Sequence, residues 1–427
     1  MNRLVIKNGH LLDPSNQLNR QADLYIDNGR VVAIDHSPNG FIADQTIDAK
    51  GLTAIPGIVD LCARLREPGL EYKATIQSET IAAAMSGITT LCCPPDTDPV
   101  IDEPAVVELI HHKATSAGHS NVVMLGALTT GLKGELLSEM HALQIAGCVG
   151  LSNGRQPIPN TLVLKRAYAY AANCGLTVFI EPDDHWLSAG GCAHNGTIAS
   201  RLGLKGIPVS AETVALARAL EIVAETGVKA HFGRLSSAAS VAMIRRAKND
   251  GMNITADVSA HQLYLNEHDI SSFNSACHVL PPLRTQRDQQ ALQQGLADGT
   301  LDAICSDHQP HDTDAKEAPF ASTEPGISAL ATLLPLATRL ADQGIVDICT
   351  VIKAITSSPA TILGMNTGTL SVGSNADICI FDRDSSWQLD EATIHSSGKN
   401  SPFIGWNFQT RVKHTIIGGV IIHSHTE

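Results

Sequence analysis

An excess of positive charge is the first thing missing from these 427 residues: 30 Lys and Arg stand against 43 Asp and Glu, a formal net charge of −13. A nucleic-acid or anionic-membrane partner needs concentrated basic side chains to displace counterions, so neither is expected. Long apolar runs are missing too, with no stretch of about 18 residues to span a bilayer. The N-terminus, MNRLVIKNGHLLDPSN, has neither the apolar core nor the small-residue cleavage site of a signal peptide. The cytoplasm is therefore the expected compartment. The ten cysteines include no C-x-x-C pair, and Cys92, Cys93, Cys148, Cys305 and Cys379 lie in apolar, strand-like runs. That placement suits buried thiols rather than disulfides or a structural metal cluster.

What is present is enough apolar chain, 43% of the residues, to bury a large core. The first fifty residues alternate as short strands broken by turns. From Gly51 eight apolar runs follow, separated by helical stretches: TAIPGIVDL, GITTLCCP, NVVMLGAL, AGCVGLS, LTVFIEP, VKAHFGRL, MNITADVS and LDAICSDH. Glu212 to Gly227 and Ser240 to Gly251 carry apolar residues at helical spacing and end at glycine. Eight strands with crossover helices predict an α/β chain folded as a TIM-type (β/α)8 barrel over residues 53–364. Strands return in GTLSVGSNADICIFD and VKHTIIGGVIIH. With the N-terminal strands they predict a small, discontinuous β domain from residues 1–52 and 365–427.

In such barrels chemistry sits at the C-terminal strand ends. Those ends offer Cys62 and Arg64, Pro95 and Asp96, Ser152 and Asn153, Glu181, Arg234, and Asp307 with His308 and His311. A hydrolytic metal site wants imidazoles and carboxylates around an open position. Here two arginines occupy the ring.

Across nearly its whole length the chain resembles the dihydroorotases, cyclic amidohydrolases whose relatives include allantoinases and hydantoinases. The residues that carry the resemblance are LREPG (Leu65 to Gly69), GITT and DPVID (Asp98 to Asp102), GIP with Glu212 and Arg218, PPLR (Pro281 to Arg284), SDHQPH (Ser306 to His311), SPA (Ser358 to Ala360), GTLSVGSNAD (Gly368 to Asp377) and SPFIGW (Ser401 to Trp406). The resemblance implies an amidohydrolase barrel. It also implies zinc-binding histidines at Cys62, Arg64, Glu181 and Arg234, and an aspartate or modified lysine near Asn153. Asp307 survives as a ligand-type residue, one that would also be the general base. Arg66 and His311 match positions that hold a substrate carboxylate, and Asp96 stands where an asparagine is expected.

An arginine cannot be deprotonated in a protein, so Arg64 and Arg234 cannot ligate a metal. The expectation is a lost zinc site, no cofactor and no catalysis, with Asp307 vestigial and Arg66, Asp96 and His311 a substrate-binding remnant. The two arginines are expected to pair with Glu181 and Asp307 as a neutral plug, because unpaired carboxylates there would be costly. His231 reads as a core or loop histidine, and Asp183, Asp184 and His185 as a solvated loop. An erased zinc site on this body resembles the inactive dihydroorotase-like chains that accompany the catalytic chain of some bacterial aspartate carbamoyltransferases, roughly six copies of each in a hetero-dodecamer. That partner is implied by the resemblance alone. Two other readings stay open: an amidohydrolase with an altered Cys62, Glu181 and Asp307 metal set, and a binding protein for an anionic pyrimidine precursor.

Overall fold

The computed structural model describes residues 3–425. Eight parallel strands form one sheet hydrogen-bonded in chain order: Ile58–Asp60, Ile88–Cys93, Asn121–Ala127, Gly150–Ser152, Thr177–Ile180, Ala230–Phe232, Ile254–Ser259 and Ala303–Cys305. Each expected apolar run supplies one strand of this barrel sheet. The seam between last and first strand closes just beyond their ends, where Arg64 N–H donates to the His308 carbonyl at 2.9 Å and Ser306 N–H to Asp60 Oδ1 at 2.8 Å. The result is a nearly closed TIM-like barrel, with the first and last strand ends, hence Cys62, Arg64 and Asp307, drawn to one point.

Parallel neighbours require crossovers, and helices supply them. Val209–Thr226 starts three residues before the expected Glu212 and ends at Gly227, whose φ of 66° is the left-handed stop glycine adopts freely. Ala238–Asn249 starts two residues before Ser240, because the Ser237 hydroxyl accepts the Ser240 N–H and caps it. Leu216, Val223, Val241 and Ile244 on these helices are buried in the main core. Among the described residues no helix is long and apolar enough to cross a membrane.

The terminal sheet joins five N-terminal strands to three C-terminal ones. Its boundaries differ from the expected 1–52 and 365–427 in two places. Thr53–Pro56 pairs with His10 and Leu11 and with Ile378 to Phe381, so this strand belongs to the terminal sheet and the barrel begins at Ile58. The run TAIPGIVDL is buried throughout, so apolar character alone hides the switch. It happens at Gly57, where a Cβ would lie 2.2 Å from Thr89 Oγ1. At the other end, Trp387–Gln388 and Asn407–Phe408 form a ribbon whose neighbours Leu389, Ile394 and Phe403 pack into the barrel core. Residues 387–410 therefore cover the barrel.

Candidate functional site

The barrel mouth is filled by salt-bridged side chains. Arg64, carried just past the first strand, donates from Nε to Asp96 Oδ2 at 2.7 Å. Its Nη1 lies 3.5 Å from Asp307 Oδ1 and its Nη2 4.0 Å from Glu181 Oε1. Arg234, past the sixth strand, reaches the same Asp307 oxygen from Nη1 at 2.7 Å and pairs with Glu181 through Nη2. Gln309 Nε2 adds a third donor to Asp307 at 3.1 Å. Two guanidinium ions thus face three carboxylates, and the half-buried Arg66 guanidinium beside them brings the group near neutrality.

Burial alone would raise Asp307, but Arg234 and then Arg64 override it and hold its carboxyl below the usual carboxylate range. Arg64 and Arg234 are both raised, because the attraction of neighbouring carboxylates outweighs their burial. The Cys62 thiol goes the other way: burial, only partly offset by the two arginines, pushes it up to about 12, so it stays protonated. The cluster is held by backbone as well. Arg66, Arg234 and Asp307 adopt φ of 64°, 57° and 50°, the left-handed region that costs a non-glycine residue on the order of 1 kcal/mol or more. At Arg234 the Asp257 carboxylate fixes it, accepting the Arg234 N–H at 2.6 Å.

The remaining expected residues are arranged around this plug. Asn153 is near but spent on joining two loops, accepting from Thr129 Oγ1 beyond the third strand at 2.7 Å and donating to the Gln156 carbonyl on its own loop at 2.9 Å. Arg66 Nε donates to the Pro310 carbonyl at 3.0 Å, and its Nη2 is 3.2 Å from His311 Nε2. His311 is pushed down to about 3 by burial and then by Arg66, so its ring is neutral. Nδ1 can then accept from Lys73 Nζ at 3.3 Å while Nε2 donates to the Pro325 carbonyl at 3.0 Å. Asp96, expected with Arg66 and His311 in a substrate-binding remnant, is a carboxylate in place of a neutral amide and is drawn onto Arg64. The plug thus has a third anion beyond Glu181 and Asp307. Asp183 is not simply solvated either; it pairs with Arg155 at 2.9 Å, and Asp184 caps the short helix His185–Ser188.

Two family models match: one for dihydro-orotase-like proteins over residues 51–240, and one for the amidohydrolase family over 187–422. A dihydroorotase-like protein of Pseudomonas aeruginosa is 46% identical over 98% of this chain and 99% of its own. A dihydroorotase of Geobacter sp. (strain M21) is 37% identical over the same shares. The chain belongs to the dihydroorotase-like family. Among solved structures, an L-hydantoinase from Arthrobacter aurescens superposes with a TM-score of 0.88 at 24% identity, covering 100% of this chain and 97% of the other, a likeness of fold.

Within this dihydroorotase-like barrel, several residues that match family motifs turn out to be structural. His308 accepts the Ala329 N–H at 3.0 Å on Nδ1, which leaves Nε2 to donate to Glu79 at 2.7 Å, all in the core. Glu212 accepts N–H bonds from Ser236 and Ser237 at 3.2 and 3.1 Å. His231 is the core histidine expected, bridging Thr255 and Asp257 at 2.8 and 2.9 Å. His261 is buried beside the plug, with neither ring nitrogen bonded to a described residue. Burial pushes it down to about 4. Lys73 and Asp257 were not anticipated. Lys73 sits in an unremarkable LEYKAT, but Asp257 is an acidic residue inside an apolar strand run, and that was a usable signal.

A zinc ion, which the family resemblance implies, does not fit this donor set. The guanidiniums offer only N–H donors, Cys62 is held protonated, and Glu181 and Asp307 are already engaged by fixed cations. Asp60, by contrast, is perturbed by burial itself, which raises its carboxyl to about 7 despite N–H and hydroxyl donation from Ser306. Because the folded value lies above the unfolded one, its favourable contribution is present in acid and is lost as pH rises through about 7. Asp60→Asn keeps the shape and removes the titration. The fall in melting temperature between about pH 5 and about pH 8 should be shallower in the variant than in the parent, and equal slopes would clear Asp60 of this role.

Proposed function

We propose that this dihydroorotase-like chain binds no zinc and hydrolyses no cyclic amide, and that it serves as a non-catalytic subunit needed for assembly and activity of aspartate carbamoyltransferase in pyrimidine biosynthesis. The observation that carries the loss of hydrolysis is the pairing of Arg64 and Arg234 with Glu181 and Asp307. Activated hydroxide and carbonyl polarisation supply most of the rate in metal-dependent amide hydrolysis, and fixed guanidiniums at the ligand positions supply neither. The partner reading is supported by the family resemblance and by a 46% identical relative that is itself called dihydroorotase-like.

The test is the solution mass of this chain co-expressed with the same organism's carbamoyltransferase chain, beside each chain alone. The expected result is a stable mixed complex of roughly six plus six chains. It should carry carbamoyltransferase activity, with the catalytic chain weak or unassembled by itself. Separate elution overturns the partner assignment. Stoichiometric zinc with turnover of dihydroorotate overturns the loss of catalysis.

A further inference from the structure

Where the terminal sheet meets the outer helices of the barrel there is a crevice of about 250 Å3, remote in sequence from the plugged mouth. One wall is apolar: Met85 at the end of the helix Ile76–Met85, Pro335 within the helix Leu330–Asp342, and the indole of Trp387. The indole is fixed, its Nε1 donating to the Thr410 carbonyl at 2.8 Å. The other wall is basic. Arg411 opens the strand Arg411–Ile417, His423 lies on the antiparallel strand Val420–Ser424 with His425 just beyond it, and His395 lies on the rim. The Arg411 guanidinium sits 5.9 Å from the centroid of the Trp387 ring, so basic and apolar walls meet at that pair.

Domain junctions are where small-molecule sites concentrate, and such sites combine apolar lining with a few convergent polar groups. We propose that this crevice binds a small aromatic anion, a phosphate or carboxylate on a single ring, with the ring on the apolar wall and the acidic group at Arg411 and the imidazoles. Among the described residues, the charges that lower the imidazoles are those of Lys399, Arg411 and Lys413 and the rings of His395, His414 and His425. Burial first, and then these neighbours, push His395 and His414 down and His423 to about 4. A bound anion offsets that repulsion, so binding takes up protons and tightens as pH falls. The site is independent of the reading of the barrel mouth.

The test titrates the full chain with phenyl phosphate and with inorganic phosphate, followed by calorimetry. Phenyl phosphate should saturate one site and bind at least about tenfold more tightly than inorganic phosphate, because only it covers the apolar wall. Arg411→Gln and His423→Gln should each weaken it by about tenfold, the scale of one charge-assisted hydrogen bond, with unchanged melting temperature. Binding should weaken in the parent as pH rises from about 4, the value of His423 in the free protein, through the higher value that a bound anion gives it. Arg66→Gln, which alters the barrel mouth and not the crevice, should leave the affinity for phenyl phosphate where it was. Absence of saturable binding, equal affinity for inorganic phosphate, indifference to both crevice variants, or loss on Arg66→Gln would each overturn the proposal.

Discussion

Replacing Arg234 with alanine is expected to lower the unfolding free energy by about 3–5 kcal/mol, the penalty for stripping one partner from a buried ion pair. The side chains left behind have almost no access to water: Asp307 is 1% exposed and Glu181 12%. Arg64 cannot replace the lost contacts, since it stands 3.5 and 4.0 Å from those carboxylates and its closest bond is to Asp96. Arg64→Ala should cost less, about 2–3 kcal/mol, because the carboxylate it releases most directly, Asp96, is 32% exposed and can be solvated. The order of the two effects is the discriminating result. Adding Asp307→Asn to Arg234→Ala should recover part of the loss, since a neutral amide needs no counter-ion. Denaturant unfolding of the four proteins measures all of this, and a harmless Arg234→Ala would mean that the plug carries no stability. Acid acts in the same direction. Asp307 has a depressed folded value, so its contribution is present above the ordinary carboxylate range and is lost as pH falls through that depressed value.

The barrel was legible because each strand run is apolar on both faces and each crossover helix has an apolar stripe, so periodicity and spacing point the same way. What periodicity could not reveal was the change of sheet at Gly57, where two strands buried on both faces run together without a polar break. The segment 387–410 was equally opaque: Leu389 and Phe403 are separated by a polar stretch that reads as surface, yet both anchor in the barrel core. At the mouth, residue chemistry carried further than pattern. Two cations that cannot be deprotonated, set among carboxylates, have few low-energy arrangements, so pairing of Arg64 and Arg234 with Glu181 and Asp307 followed from charge. The capture of Asp96 by Arg64 did not follow, because it depends on how the loop after the second strand leans over the mouth. Asn153 shows the opposite limit, a strand-end residue whose side chain is consumed by its own loop and the one after the neighbouring strand.

Converting Cys62, Arg64 and Arg234 together to histidine is expected to turn a chain that takes up less than about 0.1 zinc into one that takes up about one. The change removes two fixed cations from a cluster of three carboxylates and frees Asp307 and Glu181 as oxygen donors beside new neutral imidazoles. All three changes are needed. A unit charge 4 Å from another is worth about 4 kcal/mol at the effective dielectric of a protein site, so one residual arginine would oppose a divalent ion by about 8 kcal/mol. Metal analysis after dialysis, on the parent, each single variant and the triple, should therefore show a step at the triple rather than a gradual rise. Stoichiometric zinc in the parent that disappears on Cys62→Ala would refute the argument, since it would place the arginines outside the coordination sphere. Zinc uptake by the triple should still not bring turnover of dihydroorotate. Asp96 remains where the family resemblance calls for a neutral asparagine, and without Arg64 to neutralise it that carboxylate repels an anionic substrate. Turnover that appears only when Asp96→Asn is added would show that two separable losses, of metal and of substrate recognition, were built into the same mouth.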